Sequence, residues 1–175
     1  MKTKRLVLMA LFTALCFLGT WLHIPVPIGG ATSMVHLGTT MIFIVAILIG
    51  KEAAIPAAIG CALFDLLSPG YAVWVIPTLL VKGLTGYVTG KIAFCNGREG
   101  RNQVFNIIAF VSGELVSLVG YFGFNWLIFY GWEGAVASVI TSSVTTAIGL
   151  VIAIPLALAV KTATQRFTKG VFTEA

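Results

Sequence analysis

The stretch MVHLGTTMIFIVAILIGKEAAIPAAIGCALFDLL, residues 34–67, decides how the chain folds. It is apolar almost throughout, and only GKE, Gly50 to Glu52, interrupts it. As one straight α-helix it would be about 50 Å long, at about 1.5 Å per residue, against a bilayer core of about 30 Å. Such a mismatch is too large for tilt to absorb. GKE is therefore expected to be a polar turn between two helices, residues 34–49 and 53–67.

The rest of the chain has the same character. Of its 175 residues, 58% are hydrophobic and 10% charged. A soluble domain carries about 25% charged residues, so this chain cannot cover itself with a wetted surface, and lipid is its expected solvent. Further apolar runs at residues 6–22, 72–94, 104–129 and 135–160 complete six expected membrane helices in a single membrane domain, residues 1–175. The separators are legible. HIPVPIGGATS (23–33) holds two prolines and a Gly-Gly pair, SPGY (68–71) is a tight turn, and CNGREGRNQ (95–103) is the most polar loop. YGWEG (130–134) precedes the last helix, and the tail KTATQRFTKGVFTEA (161–175) is expected at the surface. The start, MKTKRLVLMALFTALCFLG, has the basic end and apolar run of a signal peptide. It lacks a small-residue cleavage site and its apolar run is long, so a retained first helix is expected.

With six crossings both termini share one side. That side receives Lys2, Lys4, Arg5, Lys51, Lys91, Arg98, Arg101, Lys161, Arg166 and Lys169, and the other receives only Glu133. The positive-inside rule then puts both termini in the cytoplasm, and an odd number of crossings would spoil the asymmetry. The net charge of +5 is thus topological. It forms no patch with interleaved aromatics, so no nucleic-acid partner is expected. Cys16, Cys61 and Cys95 show no metal-ligand spacing, and neither a disulfide, a metal nor a cofactor is expected.

Asp65, Lys82 and Glu114 lie well inside helices. An intramembrane charge costs about 2.5–3.5 kcal/mol on insertion scales and needs a partner or a wet cavity. Counting from the helix ends puts Lys82 and Glu114 near mid-membrane and Asp65 nearer the outer face. A Lys82–Glu114 pair is expected, with Asp65 above it. Trp74, Thr78, Lys82 and Thr85 share one face of the fourth helix; Glu114, Ser117, Tyr121 and Asn125 form a stripe on the fifth. Thr141, Ser142 and Thr145 enrich the outer half of the sixth, and His36 stands at the outer end of the second. Rings with a few hydrogen-bonding groups suit a small heteroaromatic ligand. Candidate binding residues are therefore His36, Asp65, Trp74, Thr78, Lys82, Glu114, Tyr121, Asn125 and Thr145. The plainer readings are a structural ion pair for Lys82 and Glu114, a turn cap for Asp65, and interface-belt roles for Trp21, His23 and Trp132. Ala10 and Ala14, four apart in ALFTA, put small residues on one face where another helix can approach, as Gly86 and Gly90 do on the fourth helix.

The chain resembles the substrate-binding S components of energy-coupling factor (ECF) vitamin transporters. The resemblance runs over nearly the whole chain and is carried by MALFTALCFLG, IPVPIGG, the run from HLG through ALFDLL, and IPTLLVKGLTGYVTG. It implies an all-α membrane protein that captures a vitamin at the outer face, beneath the first loop (about residues 23–33) as a lid. It also implies delivery inward together with a membrane T subunit and two ATPases, with Ala10 and Ala14 at the T-subunit contact. The chain itself carries no GxxxxGK[ST], HExxH or GxSxG, so no enzymatic activity is expected. Biotin- or thiamin-type signatures are not matched. A pyridoxine- or hydroxymethylpyrimidine-like compound is favoured, with riboflavin and pantothenate behind. The rival readings are a stand-alone proton- or sodium-coupled transporter using Glu114 and Asp65, and an intramembrane enzyme using Asp65 and His36.

Overall fold

The computed structural model describes residues 2–28 and 31–168. Gly29 and Gly30 of the first loop and the last seven residues, Lys169 among them, lie outside the described residues, as does the Thr141 side chain. The chain begins with α1 (Lys2–Trp21) and a two-stranded hairpin, β1 (His23–Ile28) and β2 (Ala31–His36). Then come α2 (Gly38–Ile49), a 3₁₀ turn at Gly50–Ala53, α3 (Ala54–Leu67), α4 (Val75–Ala93), α5 (Gln103–Phe124) and α6 (Gly131–Thr168). A π-helical turn, Asn125–Phe129, extends α5. Among the described residues five stretches are long and apolar enough to cross a membrane, and Gly38–Leu67 counts as one of them.

That stretch is not a straight rod. Gly50 adopts φ 64°, ψ −143°, a conformation that glycine alone adopts without strain, while its N–H still closes on the Ala46 carbonyl. Beyond it the Arg5 guanidinium meets Glu52 at 2.6 Å, tying the turn to the start of α1. At the far end of α1, Gly19 lies against Leu37 and Met41 at the start of α2, whereas Gly60 in α3 packs on Thr13 and Cys16. So α2 runs from the hairpin end of the bundle to the opposite end, and α3 returns.

Residues 34–36 belong to β2 and not to a helix, so α2 starts at Gly38, later than the sequence suggested. Strands β1 and β2 pair antiparallel from His23 with His36 to Ile28 with Ala31. The prolines that forbid helix there are tolerated in an edge strand. The segment read from sequence as a helix-breaking first loop is thus a hairpin.

α2 is apolar all round, and such a helix belongs at the centre of a bundle. All of it but Met41 is buried. α1, α4 and α6 pack about it, and Phe43 stacks on Phe110 of α5 with centroids 4.8 Å apart. Gly86 and Gly90 mark where α4 crosses the Gly50–Ala53 backbone; a methyl group at Gly90 would overlap the Gly50 carbonyl. Lys161, expected at the surface, is buried instead. Its Nζ donates to the Ile47 carbonyl at 2.5 Å, where a cation complements the negative end of α2. Ala10 and Ala14 lie on the outward face of α1, among exposed Val7, Leu11 and Leu18.

Candidate functional site

A cavity opens at the hairpin end between β2, α2, α4, α5 and α6. His36, Thr39, Lys82, Glu114, Ser117, Leu118, Tyr121, Ser142 and Thr145 line it, around about 360 Å³ of empty space that includes the mouth. Five candidates from the sequence, His36, Lys82, Glu114, Tyr121 and Thr145, therefore share one wall system.

Lys82 is 5% exposed, so its ammonium depends on the protein for solvation. Nζ donates to Thr39 Oγ1 at 3.0 Å and to Ser117 Oγ at 3.1 Å, and stands 5.3 Å from the centroid of the Tyr121 ring. Hydroxyl oxygens and a π face both stabilise a cation without neutralising it. The expected Lys82–Glu114 pair is not formed: the ion pairs among the described residues are Arg5–Glu52 and Arg101–Glu99. Height along α5 is the reason. Glu114 and Ser117 lie one turn apart on α5, and it is Ser117 that meets Lys82, while Glu114 Oε1 accepts from the Thr146 hydroxyl on α6.

The remaining candidates do not line the cavity. Thr78 shares a 3.0 Å hydrogen bond with the Tyr121 hydroxyl, and the Trp74 ring meets Tyr121 edge-on at 6.1 Å, so both hold Tyr121 from behind. Trp74 in turn packs on Phe129 at 4.3 Å. Asn125 Nδ2 donates to Ser138 Oγ at 2.7 Å, which joins the π turn to α6. Asp65 is buried on α3 and makes no ion pair with Lys82 among the described residues; its Oδ2 has no hydrogen-bond partner there. Thr39, Ser117, Leu118 and Ser142 line the cavity without having been singled out as binding residues. Thr39 carried a signal: it follows His36 by three residues at the same end of the second apolar run.

His36 Nδ1 accepts the Gly38 N–H at 3.0 Å, which leaves the ring proton on Nε2. Burial pushes its pKa down to about 3, and the charges of Lys82 and His23 add to the shift. The ring is therefore neutral in the folded protein, whereas the unfolded chain binds this proton near pH 6.5. The stability from neutral His36 is full above about pH 6.5 and is lost as pH falls toward about 3. Unfolding temperatures measured from about pH 7.5 to 4.5 are expected to fall more steeply for the wild type than for His36→Gln. Equal slopes would contradict this.

A polar cavity at one end of an apolar helical bundle is the build of a membrane protein that takes up a small solute. The sequence model for the ECF-type riboflavin transporter S component matches residues 1–162, and the chain belongs to that family. It is a multi-pass membrane protein and a component of vitamin transport. It is 32% identical over 152 residues to the thiamine precursor transporter HmpT of Lactococcus lactis subsp. cremoris, covering 86% of this chain and 83% of that one. It is also 29% identical over 134 residues to an uncharacterized protein of Pyrococcus woesei, covering 76% and 86%.

Proposed function

We propose that the chain is the S component of an ECF importer for a small heteroaromatic vitamin precursor of the hydroxymethylpyrimidine type. In this reading α2 and α3 each cross the bilayer, giving six crossings with both termini in the cytoplasm. That topology collects Arg5, Lys51, Lys91, Arg98, Arg101 and Lys161 at the end opposite the hairpin. The cavity then faces outward beneath the hairpin, which acts as its lid. The chain hydrolyses nothing; a T subunit, meeting Ala10 and Ala14 on the outward face of α1, and two ATPases supply the work.

The observation that carries the reading is the buried Lys82 ammonium, held by hydroxyls and an aromatic face in a cavity, with no carboxylate bonded to it. Structural ion pairs do not look like this; a cation kept available for a guest does. One further point favours a single small ring: the named relative HmpT is a thiamine precursor transporter. A pyridoxine-like ligand is next, ahead of riboflavin and pantothenate.

Uptake of labelled hydroxymethylpyrimidine by cells lacking their own system tests this. Uptake is expected only when the chain is produced together with a T subunit and both ATPases. Uptake by the chain alone, abolished by an uncoupler, would instead establish a secondary transporter with Glu114 and Asp65 as coupling carboxylates.

A further inference from the structure

Glu114 is the one carboxylate on the cavity lining, and the helix packing leaves half of it unused. The residue is 7% exposed. Its Oε1 takes the Thr146 hydroxyl, while Oε2 is buried with no hydrogen-bond partner among the described residues. A buried acceptor without a donor is costly, so a guest that brings a donor to Oε2 gains more than an exposed contact would give. The other polar groups of the lining are donors or hydroxyls. Lys82 has three N–H bonds and spends two on Thr39 and Ser117, so the third is free for the guest. The lining of one cavity therefore holds an unpartnered acceptor on α5, closed to solvent here, and a spare cationic donor on the neighbouring α4.

We infer that Glu114 Oε2 accepts a hydrogen bond from an exocyclic amino group of the ligand, while Lys82 donates to a ring nitrogen or hydroxyl on the opposite edge. Glu114 is thus the residue that selects amino-substituted pyrimidines over their oxo counterparts. This rests on the pyrimidine reading above and adds the polarity of recognition to it. An oxo group at that position sets a carbonyl oxygen against a carboxylate oxygen, and neither can donate. A site built around a hydrogen bond rejects a ligand that cannot make it more strongly than an apolar site rejects a change of size.

The test is calorimetric titration of the purified full chain with 4-amino-5-hydroxymethyl-2-methylpyrimidine and with its 4-oxo analogue. The wild type is expected to bind the amino compound at least about tenfold more tightly. In Glu114→Gln the side-chain amide can donate to the oxo group, so the preference is expected to vanish or reverse. Equal affinities in the wild type would overturn the inference while leaving the pyrimidine reading intact. An unchanged ratio in a Glu114→Gln protein that still binds would do the same. Binding of pyridoxine or riboflavin with neither pyrimidine bound would overturn both. Should Glu114→Gln fail to fold, the wild-type ratio alone decides.

Discussion

Lys82→Met is expected to lower ligand affinity by about ten- to a hundredfold while leaving the folded protein as stable as the wild type or more so. The two halves of this result have separate causes. Hydrogen bonds to a charged group are worth about 1.5–3 kcal/mol, and the ligand loses one. The fold, in contrast, loses a desolvated charge that no carboxylate neutralises, and replacing buried charges with apolar groups of similar volume is often neutral or stabilising. Methionine keeps the length of the stem and fills the same space. A structural ion pair predicts the reverse, because removing one partner of a buried pair costs about 3–5 kcal/mol through the charge left behind. Titration with hydroxymethylpyrimidine and thermal unfolding in the same detergent measure both quantities. Lost stability with unchanged affinity would make Lys82 a strut.

The second large effect is expected far from the cavity. Gly90→Ala places a methyl group against the carbonyl of Gly50 and the amide nitrogen of Lys51, where α4 crosses the turn between α2 and α3. These are backbone atoms and cannot rotate aside. Overpacking at such a crossing costs about 1–3 kcal/mol or more, so the unfolding temperature is expected to drop by roughly 5–10 °C. The same substitution at Gly123, whose surroundings are open, should be neutral or raise it, because alanine is the better helix former. Equal shifts at the two positions would mean that the α4 crossing is not a tight contact.

Much of this architecture could be read from residue order, for physical reasons that differ from place to place. GKE stood out because a polar tripeptide inside an apolar run has no other use, and Gly50 does turn the chain there. Lys82 stood out because burying an ammonium is expensive, and it is indeed buried. The hairpin was not legible. Prolines and paired glycines announce only that helix stops, and the pairing of His23 with His36 depends on partners thirteen residues apart. The partners of Lys82 were not legible either. Depth along a helix can be counted from sequence only to about 2–4 residues, and one turn on the same face separates Ser117 from Glu114. The surface placement of Lys161 failed for a different reason: position at a helix end did not reveal that the α2 carbonyls would need capping.

The most direct test is native mass spectrometry of the purified chain in detergent, with hydroxymethylpyrimidine added at low micromolar concentration. One ligand per chain, unaltered in mass, is the predicted adduct, and Lys82→Met should fail to hold it under the same conditions. A chain that carries no adduct, or an adduct retained equally by Lys82→Met, would contradict the proposal that this cavity is where the transported molecule sits.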